Sequence, residues 1–95
     1  MDVEFWDKTL ALIETDRAAE TRLPIAVINS LRQKLVVIRA APDERTLRNW
    51  KSLHYEKMGG DERSIRINKQ FRLIFTLNTE CKPNKMTILR VWNHD

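Results

Sequence analysis

The 95-residue sequence has one cysteine, two glycines and three prolines. A lone cysteine, Cys81, excludes an internal disulfide framework and any multi-cysteine metal site. A reducing, cytoplasmic setting is therefore the default expectation. The two glycines are adjacent, Gly59-Gly60, match no nucleotide-binding fingerprint and read as a turn. The two histidines, His54 and His94, have no partners at metal-ligand spacing, so no metal is expected. No apolar run approaches the roughly 18 residues that a membrane span requires. The start, Met1-Asp2-Val3-Glu4, is acidic where a secretory signal would be basic. Repeats and low-complexity segments are absent.

Apolar residues make up 42% and charged residues 32% of the chain. That supplies enough core for one compact domain over residues 1–95 and argues against disorder. The formal charge of +4 is unevenly spread. Residues 1–20 carry six acids against two bases, net −4, and the remaining 15 bases and 7 acids give +8. The acidic start reads as a solvated helix face. The basic remainder invites a polyanion, nucleic acid first, although solubilising charge is the plainer explanation.

Val3-Glu4-Phe5-Trp6 reads as a short first strand. Trp6, Leu10 and Ile13 follow at helical spacing behind Asp7, a residue suited to an N-cap. Pro24 reads as the first turn of a second helix. Ile28, Leu31, Leu35 and Ile38 form its apolar stripe, with Arg32 and Arg39 off it. The helix closes at Ala40-Ala41-Pro42, because the residue before a proline disfavours helical geometry. Pro42-Asp43-Glu44-Arg45 can start one more turn. Beyond it the period changes to that of strands. Ser64 to Asn68, Phe71 to Leu77 and Met86 to Trp92 read as three of them. The reading is an α+β domain ordered β-α-α-β-β-β, with the helices against an antiparallel sheet.

Hairpin register carries the sharpest inference. With Asn68-Lys69-Gln70 as a three-residue loop, Ile67 faces Phe71 and Ile65 faces Leu73 on the buried side. The same register sets Arg66 opposite Arg72 on the other side. A two-residue loop would pair apolar with polar residues. Directly opposed like charges destabilise a sheet. They make sense beneath a bound anion, or with acidic side chains brought from elsewhere. His54 and Tyr55 follow Trp50-Lys51-Ser52-Leu53, and Lys57 and Arg63 flank the glycine turn. Rings interleaved with bases suit single-stranded RNA. The alternative is a solvated charged face over Trp50 and Leu53 as core residues. His94 can serve as a general acid or base, though a near-terminal histidine is often plain surface.

Lys34-Leu35-Val36-Val37-Ile38-Arg39-Ala40-Ala41, Leu53 and Ser64-Ile65-Arg66-Ile67-Asn68-Lys69-Gln70-Phe71-Arg72-Leu73-Ile74-Phe75 resemble the HigB branch of the RelE/ParE toxin superfamily. The start, Val3-Glu4-Phe5-Trp6-Asp7-Lys8, fits the same pattern, so the resemblance covers nearly the whole chain. It implies a small toxin fold with an N-terminal strand, a two-helix hairpin and an antiparallel sheet. It also implies a type II toxin–antitoxin system, with a helix-turn-helix, HigA-like antitoxin that binds operator DNA. The toxin would touch that DNA only through the antitoxin.

HigB-like toxins resemble RelE in cutting mRNA in the ribosomal A site. That chemistry, attack of a ribose 2′-hydroxyl on its phosphate, needs a base, an acid and cations but no metal or cofactor. Arg72 matches the family's phosphate-contacting arginine, and Arg66 fits the same anion by register. The family's active surface also points to His54 and Lys57, and less directly to Arg63 in Gly60-Asp61-Glu62-Arg63. His94 falls near the branch's C-terminal D-Y-H segment. Here the chain ends Val91-Trp92-Asn93-His94-Asp95. In register His94 replaces the tyrosine; shifted by one it becomes the final histidine. The expected proton carrier is His94, with His54 as the alternative. Two competing functions share the fold: gyrase inhibition of the ParE type, and a non-catalytic member that only binds its antitoxin.

Overall fold

A computed structural model describes residues 1–93. Its elements run β1 (Asp2–Phe5), two 3₁₀ turns (Leu10–Glu14 and Ala18–Thr21), α1 (Ile25–Ala40), α2 (Glu44–Asn49), a further 3₁₀ turn (Lys51–Leu53), then β2 (Glu56–Lys57), β3 (Arg63–Arg66), β4 (Phe71–Asn78) and β5 (Lys85–Asn93). The α+β class and the expected strand–helix–sheet order are observed. The five strands form one sheet in the order β1-β5-β4-β3-β2. β1 joins β5 in parallel, and every other neighbour is antiparallel.

The stripe read from the sequence is the buried face of α1: Ile28, Leu31, Leu35 and Ile38 all lie in the core. Leu47 of α2 and Leu53 join them over Ile65, Leu73, Phe75, Met86 and Ile88 of the sheet. Pro24 sits one position before the helix, and its carbonyl accepts from the Val27 and Ile28 amides at 2.9 and 3.0 Å. At the other end Ala41 is extended, as Pro42 demands. There the Met1 ammonium donates to the Ile38 and Arg39 carbonyls at 3.1 and 3.0 Å, and also to that of Ala41. A positive charge at a helix C-terminus complements the helix dipole. Asp43 caps α2, accepting from the Thr46 amide at 3.3 Å.

The helix expected after Trp6 is not α-helical. Asp7 does start it, with Oδ1 accepting from the Thr9 amide at 2.8 Å. The segment then breaks into 3₁₀ turns, because short hydroxyl side chains compete for the backbone. Thr15 Oγ1 donates to the Leu12 carbonyl and Thr21 Oγ1 to that of Ala18, each at 2.7 Å. Leu10 and Ile13 are buried as their spacing required, but Trp6 is 77% exposed. The off-stripe arginines of α1 hold this acidic segment. Arg32 donates to the carbonyls of Ile13 and Thr15, and Arg39 pairs with Glu14 at 2.6 Å.

Candidate functional site

The β3–β4 hairpin has the register read from the sequence, with Ile65 opposite Leu73 and Arg66 opposite Arg72. The Ile67 amide donates to the Phe71 carbonyl at 2.9 Å. Asn68 shapes the three-residue loop, its Oδ1 accepting from the Gln70 and Phe71 amides at 2.8 and 2.9 Å. Ile65, Ile67, Phe71 and Leu73 therefore face the helices. The other face carries Ser64 and Arg66 of β3, with Arg72 and Ile74 of β4.

Arg72 stands at the centre of this outer face and is only 6% exposed. Its Nε donates to Ser64 Oγ at 3.0 Å, and its Nη2 donates to the His54 carbonyl at 2.6 Å. The only carboxylate paired with it among the described residues is Glu56, with Oε2 at 3.8 Å from Nη2. That is beyond hydrogen-bond range, and the Glu56 side chain is 66% exposed. A buried guanidinium held by neutral partners is costly unless an anion completes it. Arg66, half-buried beside it, has no ion pair among the described residues. The opposed arginines are thus only loosely answered by acid, which leaves room for an outside anion.

His54 supports Arg72 through its backbone. It occupies the left-handed region, φ 48°, at the end of the Lys51–Leu53 turn. That conformation turns its carbonyl to Arg72, while the imidazole stays exposed. The next residue anchors the turn. Tyr55 donates its hydroxyl proton to Glu44 of α2, and Arg63 Nε donates to the same carboxylate at 3.3 Å. Arg48 adds an ion pair to Glu44 at 3.4 Å and lies 5.2 Å from the Tyr55 ring centre. The Tyr55 ring also meets Phe75 edge-on. The Tyr55 hydrogen bond, more than the arginines, holds the Glu44 carboxyl below its ordinary value. Burial, then Glu44, pushes the Tyr55 phenol up to about 12.

The remaining sequence candidates separate. Arg63 pairs across the sheet with Phe75, so it lies on the helix-facing side. It belongs to the Glu44 cluster rather than to the Arg66–Arg72 face. Lys57 is opposite Arg63, and strand alternation directs it the same way. His94 lies outside the described residues. In place of Lys57 the outer face receives Glu56, directly across from Ser64. Sequence reading missed Glu56 because β2 is two residues long and has no strand period. Ser64 was within reach, since it alternates with Arg66. Trp92, opposite Arg72, was also missed. Its alignment needs the β4–β5 register, which an irregularity at Ile74/Phe75 shifts.

Among the described residues, no helix is long and apolar enough to cross a membrane. A family model described as the RelE-like toxin of the type II toxin–antitoxin system HigB matches residues 3–88. Toxin HigB-1 of Vibrio cholerae serotype O1 is 36% identical over 94 residues, covering 90% of this chain and 99% of that toxin. The YoeB/ParE toxin from Agrobacterium tumefaciens superposes over 100% of both chains with a TM-score of 0.59. At 11% identity that likeness shows the fold alone. By the family match and the Vibrio relative together, the chain belongs to the HigB-like, RelE-related toxins of type II toxin–antitoxin systems, and an antitoxin is its partner.

Proposed function

We propose that this toxin is a metal-independent, ribosome-dependent mRNA endonuclease that stops translation by cutting the message. The observation that carries the reading is Arg72: a guanidinium almost wholly buried, aligned by Ser64 Oγ and the His54 carbonyl, with no carboxylate among the described residues in hydrogen-bond range.

A phosphate laid on the outer face meets Arg72 and Arg66 side by side. The ribose 2′-hydroxyl attacks the adjacent phosphorus, its O–P bond forms, and the bond to the 5′-oxygen of the next nucleotide breaks. The products are a 2′,3′-cyclic phosphate and a 5′-hydroxyl. Glu56, beside Arg72 and open to solvent, takes the 2′-hydroxyl proton. A histidine, His94 or His54, gives a proton to the leaving oxygen. Arg72 and Arg66 offset the charge that grows on the phosphoryl oxygens, where one fixed donor is typically worth about 100- to 1,000-fold in rate. Lys57, exposed on β2 at the sheet edge, supplies longer-range attraction to the RNA backbone. Arg63 serves the fold through Glu44. The antitoxin is of the helix-turn-helix, HigA-like kind.

The test is primer extension on a message translated in an extract given the purified chain. Discrete cuts are expected, and Arg72→Ala should abolish them. Intact message at doses that stop growth, or a DNA-damage response that precedes translation arrest, refutes the reading and favours a ParE-type activity.

A further inference from the structure

The outer face carries more than cations. Arg66, Arg72 and Trp92 stand in one row across β3, β4 and β5, each directly opposite the next. Directly paired residues of antiparallel strands project to the same face. Val91, before Trp92, packs against the core, which confirms that the indole lies on the arginine side. Trp92 is 43% exposed, a large ring at the surface in line with two guanidinium groups.

We propose that Trp92 is a stacking platform for one unpaired nucleobase of a single-stranded RNA, set so that the following phosphates fall on Arg72 and Arg66. This rests on the function proposed above and adds to it a base subsite. Neighbouring strands are about 4.8 Å apart, so the row spans roughly 10 Å from Trp92 to Arg66. A base and its own phosphate are separated by one sugar, a reach similar to one strand spacing. A base on the indole therefore brings its phosphate over Arg72 and directs the next toward Arg66. Stacking is tolerant of sequence because every base has a π-face. The subsite fixes where the chain is cut relative to a stacked base more than which base it is.

The probe is a short single-stranded oligoribonucleotide made uncleavable by 2′-O-methyl riboses, titrated into the full chain by fluorescence anisotropy. Trp92→Ala should weaken binding about 5- to 150-fold. Trp92→Phe should recover most of it, since a ring is retained. Removing single bases from the probe should cost the wild type affinity at one position and cost Trp92→Ala nothing there. Val36→Ala, exposed on α1 on the opposite side of the sheet, should bind as wild type. Equal binding by Trp92→Ala, equal loss in Trp92→Phe, or no measurable binding by the wild type overturns the subsite. Cleavage on ribosomes separates the two proposals. Loss with Arg72→Lys but none with Trp92→Ala keeps the nuclease and removes the subsite. Ring-dependent RNA binding without any cleavage keeps the subsite and removes the nuclease.

Discussion

Tyr55→Phe removes one oxygen and leaves the ring on Phe75 and beneath Arg48. The lost atom donates to Glu44, whose side chain is 22% exposed. A hydrogen bond to a charged group is worth about 1.5–3 kcal/mol. Glu44 keeps Arg63 and Arg48, so the loss should fall at the low end, about 1.5 kcal/mol. For a chain of this size that lowers Tm by roughly 6–12 °C. The pH dependence is specific. Glu44 has a lowered pKa in the fold, so its contribution is fully present above the ordinary carboxylate value. It is lost as pH falls through the lowered value. Because Tyr55 is the largest cause of that lowering, the gap between wild type and Tyr55→Phe should narrow steadily below about pH 4. The phenol, raised to about 12, acts oppositely, and its share fades as pH rises above about 10. Urea unfolding at pH 7 and pH 3, in a double-mutant cycle with Glu44→Gln, measures this. A difference under about 0.3 kcal/mol at pH 7, or one that does not shrink in acid, refutes the reasoning.

Ser64→Ala removes one of the two neutral partners of Arg72 and should cost about 1–2 kcal/mol, with a fall in kcat larger than any change in KM, read by unfolding and by ribosomal cleavage. Phe75→Ala, emptying a fully buried site under the sheet, should cost about 3–5 kcal/mol in the same unfolding assay. Arg63→Ala should lower stability while leaving the salt dependence of RNA binding unchanged. Arg66→Ala should reduce that salt slope by about one and leave stability nearly untouched.

Register was the most legible part of the molecule. Alternating apolar residues on both sides of Asn68-Lys69-Gln70 allowed one pairing, and the structure has it. The α1 stripe was equally readable, because four residues at helical spacing have one buried solution. Residues 7–21 misled for a local reason. Their apolar spacing fits a helix, but Thr15 and Thr21 bond back to nearby carbonyls and hold short 3₁₀ turns. At the site, the opposition of Arg66 and Arg72 followed from strand period. Arg63 differs from them only in parity, and its true partner, Glu44, lies on α2, 19 residues away. His54 was singled out for its ring; its carbonyl accepts from Arg72, a contact that depends on a left-handed backbone that no motif announces. Glu56 lay in a strand too short for any period to mark.

The central claim is that the outer sheet face, through Arg72, carries out phosphoryl transfer on mRNA. The most direct measurement programs ribosomes with a short message and compares single-turnover cleavage by wild type and Arg72→Lys, after unfolding shows that the lysine variant is folded. The account predicts a loss of about 100-fold or more, because lysine keeps the charge but cannot hold both the Ser64 and His54 oxygens and a phosphate. A message whose cut site carries one 2′-deoxyribose should stay intact with wild type. Cleavage by Arg72→Lys at the wild-type rate, or cutting of the deoxy-substituted message, would contradict it.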